Sequence, residues 1–224
     1  MANLIFDYDG TLHDCIRIYA PAFRLAYAQL VSDGAMPERE WEEAELSRWL
    51  GYSARDVWDA FAPNLLPEQK ERCSQIIGRE MLRAVQAGEA RLYPGVPSLL
   101  DQLRTDGHRL ILLSNCKRAY LEAHRVHFQL DQYFTSCFCG EDFNWIPKQV
   151  ILRQMLPELN GDTLVIGDRV HDMEAARQNG LRAIGCAYGY GTPEELHSAS
   201  AVVSTPRELI RALDFLLSNS RSKA

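Results

Sequence analysis

The sequence predicts an α/β domain with a parallel sheet, interrupted after its first strand by a helical insertion. Apolar residues recur at intervals of three and four throughout residues 14–91, which indicates helices without strands. After residue 92, short apolar runs alternate with amphipathic segments, and this alternation is typical of strands joined by helices. A single apolar run, Leu4–Phe6, comes before the insertion and opens directly into a polar turn.

The individual elements follow from local signals along the chain. The first strand is Leu4–Phe6. The helical insertion ends at a stretch rich in proline and glycine, Tyr93-Pro94-Gly95-Val96-Pro97. The remaining predicted elements, in chain order, are helix Val96–Thr105, strand Arg109–Leu113, helix Lys117–His127, strand Ser136–Cys139, helix Lys148–Leu156, strand Thr163–Gly167, helix His171–Asn179, strand Ala183–Cys186, strand Ala201–Ser204 and helix Pro206–Leu217. The small polar residues 218–224 are expected to fray.

This order of elements predicts two domains. Residues 1–13 and 92–224 form a Rossmann-like core of three layers, with a parallel sheet between helices. Residues 14–91 form a helical-bundle cap inserted after the first strand. The tryptophans of the cap are interpreted as core residues.

Composition excludes several classes of protein. The chain has 224 residues and a formal charge of -6, and no basic cluster suits nucleic acid. No apolar run is long enough for a membrane-spanning helix, and the first residues do not resemble a secretory signal. The six cysteines include no CxxC pair, which argues against zinc. We therefore expect a cytoplasmic protein with reduced thiols that binds neither nucleic acid nor membrane.

Polar residues cluster where the predicted strands end, and parallel strands bring their carboxyl ends to one edge of the sheet. These residues are Asp7, Asp9 and Thr11, then Ser114 and Asn115, then Lys148 at a helix start, then Asp168 and Asp172. Four carboxylates together repel one another unless a cation is present, and oxygen ligands suit Mg²⁺. A hydroxyl and an ammonium beside a helix start suit phosphate. The combination indicates phosphoryl transfer, in which a carboxylate can act as nucleophile and a second as acid and base.

The same residues resemble a known family. The matching motifs are Asp7-Tyr8-Asp9-Gly10-Thr11-Leu12, Ser114-Asn115, Lys148, Gly167-Asp168-Arg169-Val170-His171-Asp172, Ala175-Ala176, Gly180, Gly189-Tyr190-Gly191 and Glu194-Glu195-Leu196. In this order they resemble the haloacid dehalogenase-like hydrolase superfamily, in its capped phosphatase branch near phosphoglycolate phosphatase. The sequence departs from many relatives in two places: Gln149-Val150 follows Lys148 in place of a Pro-x-Pro run, and His13 follows Leu12.

The resemblance implies roles for the predicted site residues. Asp7 is the expected nucleophile and a Mg²⁺ ligand. Asp9 is the expected general acid and base, and its backbone carbonyl also contacts the metal. Ser114, Asn115 and Lys148 are expected to hold the phosphate. Asp168 is expected to bind the metal directly, with Asp172 in support through water or Lys148.

The predicted function is Mg²⁺-dependent hydrolysis of a small phosphorylated metabolite, such as phosphoglycolate, a sugar phosphate or a nucleotide, through an aspartyl-phosphate. A sugar phosphomutase and a non-enzymatic phosphate-binding module remain alternatives. Asp9 argues against haloacid dehalogenation, since relatives with that chemistry lack an acid at this position.

Two residues of the cap are candidates for contacts with the site. Gly51 is expected to let the cap approach the core closely, and Arg55 is expected to contact a substrate carboxylate. The protein is expected to be a monomer or homodimer.

Overall fold

The computed structural model describes the backbone of residues 1–52 and 54–221 and the side chains of residues 1–52 and 57–218. The described residues contain one six-stranded sheet in the order β3-β2-β1-β4-β5-β6, and all of its strand pairs are parallel. Its strands are β1 (Asn3–Phe6), β2 (Arg109–Ser114), β3 (Ser136–Cys139), β4 (Thr163–Gly167), β5 (Arg182–Cys186) and β6 (Ala201–Val203). The predicted α/β fold is confirmed.

The described helices lie in two groups. The insertion holds α1 (Ile16–Ser32), α2 (Glu43–Ser47), α3 (Ala54–Phe61) and α4 (Pro67–Gln86). The core holds α5 (Val96–Thr105), α6 (Arg118–Phe128), α7 (Lys148–Met155), α8 (Val170–Gln178), α9 (Pro193–Leu196) and α10 (Glu208–Arg221), with short 3₁₀ turns at Leu130–Gln132, Gly140–Phe143 and Leu156–Glu158. Among these described helices, none combines the length and the apolar character that crossing a bilayer requires.

The central strand β1 shows how the sheet is buried on both faces. Leu4 and Phe6 point into an apolar cluster that includes residues of α5, α6 and α10. Ile5, between them, points into the opposite cluster with residues of α7 and α8. Both neighbours of β1 pair with it in register, as Ile5 lies beside Ile111 on one side and Val165 on the other. The stretch Leu4–Phe6 is therefore apolar at every position.

The strand order reverses at β1, and this reversal positions the site. The chain moves from β1 to β2 and β3 on one side, and β4, β5 and β6 then extend the sheet on the other side. Connections that leave in opposite directions open a crevice beyond the carboxyl ends of the strands, where ligands bind in such sheets. The crevice lies beyond β1 and β4.

The insertion has its own apolar cluster, which draws on residues from Cys15 to Met81 and on Tyr190 of the core. Phe23 lies at its centre, with ring centroids 5.6 Å from Trp41 and 6.2 Å from Trp58. Where the chain enters and leaves the insertion, Asp14 N donates to Arg91 O at 2.9 Å. These contacts support the predicted boundaries of the cap, 14–91, which remain a prediction.

The end of the chain differs from expectation. Residues 218–221 were expected to fray, but they continue α10, whose range is Glu208–Arg221. Leu209, Leu213 and Leu216 of this helix are buried in the core. A buried stripe at helical spacing anchors the helix, and its hydrogen bonds then extend into a polar last turn.

Candidate active site

The predicted site residues meet at the carboxyl edge of the sheet. Asp7 directly follows β1, Ser114 is the last residue of β2, and Asp168 directly follows β4. Lys148 is the first residue of α7, and Asp172 lies in the first turn of α8. All five side chains are buried, with at most 7% of any residue exposed. Buried charged groups of this kind require partners, because desolvation disfavours isolated charges.

Lys148 joins two of the carboxylates. Its Nζ atom lies 2.7 Å from Asp7 Oδ1 and 2.5 Å from Asp172 Oδ1. The other oxygen of Asp172 accepts a hydrogen bond from Arg169 N at 3.1 Å. These contacts hold the Asp7 carboxylate in one orientation above the end of β1.

Burial has the largest single effect on the pKa values of Asp7, Asp168 and Lys148. Burial raises the pKa of Asp7 to about 7; Lys148 opposes this shift, and the charge of Asp172 adds to it. Burial also raises the pKa of Asp168 well above its ordinary value, and the charges of Asp7 and Asp172 act in the same direction. Although burial lowers the pKa of Lys148, the carboxylates of Asp172 and Asp7 raise it above its ordinary value. One lysine therefore contacts a cluster that contains more negative than positive charge.

Three glycines allow the backbone to approach Asp168 closely. A Cβ atom on Gly10 would lie 2.2 Å from Asp168 Oδ2, one on Gly189 would lie 2.4 Å from its Cβ atom, and one on Gly191 would lie 1.8 Å from its backbone oxygen. Between the last two, Tyr190 N donates to Asp168 Oδ2 at 2.8 Å. The Gly189-Tyr190-Gly191 motif therefore fixes the carboxylate of Asp168.

We expect Gly10→Ala to destabilise the protein by about 2 to 5 kcal/mol, since it combines an unfavourable backbone conformation with a steric clash. Gly10 has a φ of +88° and lies against Asp168. Gly161→Ala is the matched control, because Gly161 has the same φ of +88° and no atom within 4 Å of an added Cβ. Urea unfolding measures both changes in free energy. Equal losses in the two variants would show that the contact with Asp168 imposes no constraint.

Asp9 points away from this carboxylate cluster toward an aromatic group. Its Oδ1 atom lies 2.7 Å from His13 Nδ1 and accepts a hydrogen bond from Tyr120 at 2.9 Å. Burial favours protonation of Asp9, but the hydrogen bond and charge of His13, with His124 and Tyr120, outweigh it and lower the pKa of this carboxyl group. His13 is fully buried and stacks on Tyr8 at 5.4 Å. His13 therefore contacts a predicted catalytic residue, a role that its position after Leu12 did not indicate.

We expect His13→Phe to lower kcat about 10-fold with a smaller change in KM, because Asp9 loses one of two hydrogen bonds that orient it while the ring stack is kept. His108→Phe is the control: His108 is a half-buried histidine just before β2, at the edge of the sheet opposite the site. Steady-state kinetics on a phosphate ester separates kcat from KM. An unchanged kcat in His13→Phe, with the fold intact, would contradict the positioning role.

The helical insertion contacts the loops that follow β2 and β4. Three residues take part in this contact: Asn115, Gly51 and Arg169. Asn115 Nδ2 donates to Gly51 O at 3.5 Å. Gly51 has a φ of +86°, and an added Cβ atom would lie 2.9 Å from Arg169 Cγ, so this glycine does permit close approach of the cap. Arg169 donates to the backbone oxygens of Arg48 and Leu50. The side chain of Arg55 lies outside the described residues.

Arg169 lies inside the last motif, between Asp168 and Asp172, and the sequence alone indicated no role for it. In the structure it is buried, forms two hydrogen bonds of 2.9 Å with Glu195, and lies over the ring of Tyr52 at 4.8 Å. Its neighbour His171 packs edge-on against Tyr52 at 5.0 Å. Arg169 thus connects the loop after β4 to the helical insertion beside the site, and its position between two predicted site aspartates is the one sequence signal that could have indicated this.

The donor set suits a hard divalent cation. Asp7, Asp168 and Asp172 each offer an oxygen atom, and these atoms all lie within 4.8 Å of one another. Burial and the neighbouring carboxylates raise the pKa values of Asp7 and Asp168, and a bound cation would lower both. Oxygen ligands alone favour Mg²⁺ over zinc. A second group, Asp9, His13 and Cys15, includes sulfur and nitrogen atoms and is less suited to Mg²⁺.

Comparisons with known proteins give the family of the chain. Residues 4–186 match the family model described as haloacid dehalogenase-like hydrolase. A phosphoglycolate phosphatase of Synechococcus elongatus is 30% identical over 97% of this chain and 99% of its own length. A 5'-nucleotidase of Pseudomonas aeruginosa is 27% identical over 88% of this chain and 87% of its own. The crystal structure of a predicted phosphatase from Clostridium acetobutylicum superposes with a TM-score of 0.80 at 24% identity, covering 95% of this chain and 98% of the other.

Proposed function

This chain belongs to the haloacid dehalogenase-like hydrolase family, and from that premise we propose that it is a Mg²⁺-dependent phosphatase that hydrolyses small phosphate monoesters through an aspartyl-phosphate. Hydrolysis of phosphoric monoesters agrees with the names of its relatives. The observation that carries the mechanism is the buried group at the carboxyl edge, in which Lys148 Nζ lies 2.7 Å from Asp7 Oδ1 and the oxygens of Asp7, Asp168 and Asp172 lie within 4.8 Å of one another.

The first step is attack of an Asp7 carboxylate oxygen on phosphorus. The bond between phosphorus and the ester oxygen breaks, and the ester oxygen takes a proton from Asp9 and leaves as an alcohol. Asp9 carries that proton in this scheme, and His13, whose Nδ1 atom lies 2.7 Å from Asp9 Oδ1, orients its carboxyl group. Lys148, Ser114 and the backbone amide of Asn115 bind the phosphate oxygens.

The second step hydrolyses the acyl phosphate on Asp7. Asp9 removes a proton from water, the water oxygen attacks phosphorus, and the bond from phosphorus to Asp7 breaks to release inorganic phosphate. Asp7, Asp168 and the backbone carbonyl of Asp9 would hold Mg²⁺, with Asp172 in support. When bound, this ion neutralises charge on the phosphate and the carboxylates.

The cap has a role in this scheme. A cleft of about 1230 Å³ lies between cap residues such as Lys70 and core residues such as Lys148. A substrate in this cleft is surrounded by both parts of the chain, which excludes water from the phosphate during transfer. We propose that residues 14–91 act as a cap over a core formed by 1–13 and 92–224, in a cytoplasmic monomer or homodimer.

Phosphate release from a panel of esters tests the proposed function. The panel contains an aryl phosphate, 2-phosphoglycolate, glucose 1-phosphate and a nucleoside 5'-monophosphate, each assayed with Mg²⁺. We expect stoichiometric release of inorganic phosphate and alcohol from at least one of them. Conversion of the sugar phosphate to its isomer without release would indicate a phosphomutase, and Mg²⁺ binding without any turnover would indicate a binding module.

A further inference from the structure

Trp145 is an exposed aromatic residue that lines the cleft between cap and core. Forty-four per cent of its surface is exposed, whereas Trp41 and Trp58 are buried within the cap. An exposed indole is hydrated at a cost in free energy, which binding to another apolar surface recovers. Because Trp145 lies in the cleft, the surface that can cover its indole ring is that of a bound substrate.

The backbone at Trp145 adopts a conformation that a bulky side chain disfavours. Asn144 has a φ of +52° and Trp145 a φ of +60°, both in the left-handed region. Trp145 N donates to Gly140 O at 2.8 Å, which holds the turn. A Cβ atom on Gly140 would lie only 3.1 Å from Trp145 Cε3, so the ring lies against the backbone there. Unfavourable conformations of this kind concentrate at ligand sites.

The ring also lies close to the phosphate-binding residues. The same Cβ position on Gly140 is 3.7 Å from Asn115 Cα, which places Asn115 beside the indole. Trp145 precedes Lys148 by three residues, and both line the cleft with Asn115. The cleft volume of about 1230 Å³ exceeds the roughly 300 to 1,000 Å³ usual for small-molecule sites. A phosphate held by Lys148 therefore leaves room for a large leaving group that extends toward the indole.

We propose that Trp145 is a stacking subsite for a planar heteroaromatic ring in the leaving group of the substrate, as in a nucleoside monophosphate. This inference rests on the proposed phosphatase function and specifies its substrate class. The indole offers a rigid π-face, and stacking of a base on such a face is largely independent of base identity. The subsite selects for the ring, while the catalytic residues act on the phosphate.

The first experiment compares kcat/KM for adenosine 5'-monophosphate with that for ribose 5-phosphate, which lacks the ring. In Trp145→Asn this ratio is expected to fall about 10-fold, since one stacking contact is lost and asparagine tolerates the left-handed backbone. Trp145→Phe is expected to keep most of the wild-type ratio, because a phenylalanine ring can also stack on the base. Phe215→Asn is the matched control, because Phe215 is an aromatic residue of α10 that is 63% exposed and outside the cleft lining. Pyridoxal 5'-phosphate, measured in parallel, distinguishes a nucleotide site from one for another heteroaromatic ester.

The second experiment measures binding without turnover. Adenosine 5'-monophosphate is titrated into Asp7→Asn, and tryptophan fluorescence is expected to change; ribose 5-phosphate should cause a smaller change, and Asp7→Asn/Trp145→Phe should lose the response. An unchanged ratio in Trp145→Asn, or equal responses with and without Trp145, overturns the subsite. Failure of the wild type to hydrolyse any ester instead overturns the proposed function, and the fluorescence titration still decides whether Trp145 binds the ring.

Discussion

Asp7→Asn is expected to lose at least about 10,000-fold in the rate of phosphate release, because an amide cannot form the acyl phosphate on which both steps depend. The substitution keeps the size of the side chain. Its remaining oxygen can still accept the hydrogen bond from Lys148, which lies 2.7 Å away in the wild type. Release of phosphate from an aryl phosphate, with Mg²⁺ present, measures the loss.

Asp162→Asn is the matched control for this prediction. Asp162 lies just before β4, at the edge of the sheet opposite the site, and pairs with Arg182 at 3.5 Å. We expect wild-type turnover from this variant, since surface ion pairs contribute little to stability. Asp7→Asn with undiminished metal-dependent turnover would show that Asp7 is not the nucleophile.

Removal of the metal is expected to abolish turnover, and Mg²⁺ is expected to restore it. Mg²⁺ should also stabilise the folded protein by about 2.7 kcal/mol at 100 times its Kd, a rise in Tm of about 5 to 10 °C. The reason is that a divalent cation relieves repulsion among the buried carboxylates of Asp7, Asp168 and Asp172. Activity after EDTA treatment and thermal unfolding with and without Mg²⁺ measure the two effects.

The variant Asp168→Asn distinguishes an effect on metal binding from an effect on the stability of the fold. An asparagine at this position can accept the hydrogen bond from Tyr190 N and donate to Thr11 Oγ1, the two partners of Asp168. It also removes one buried negative charge. We therefore expect the metal-free variant to be at least as stable as the wild type while losing activity and the rise in Tm with Mg²⁺. The same rise in Tm in Asp168→Asn as in the wild type would place the metal elsewhere.

The fold and the placement of the site were predictable because their signals are local. Leu4–Phe6 is an apolar run followed by Asp7, and Leu164–Gly167 is another followed by Asp168. A strand buried on both faces is mostly apolar, and polar residues follow it where the chain reaches the crevice. Once the strands are parallel, their polar ends share one edge. The structure accordingly brings together Asp7, Ser114, Lys148, Asp168 and Asp172.

The partners of these residues were not predictable. Tyr120 contacts Asp9 only because α6 packs beside the first loop, across 111 positions of sequence. Arg169 reaches the backbone of Arg48 and Leu50 because the helical segment between β1 and β2 packs against the loop after β4. No local signal encodes contacts of this kind.

By itself, the sequence predicted the α/β class, which the structure confirms, and it led us to propose an inserted helical segment and a chemical role for the carboxylates, lysine and serine at the strand ends. Those features depend on periodicity and on residue types, which are properties of short stretches of chain. Only the tertiary structure decided which of these groups touch, how far burial raises the pKa of Asp7, and that Trp145 lines the cleft in a left-handed conformation. Distances, desolvation and exposure depend on packing between segments that are remote in sequence, and packing exists only in the folded chain.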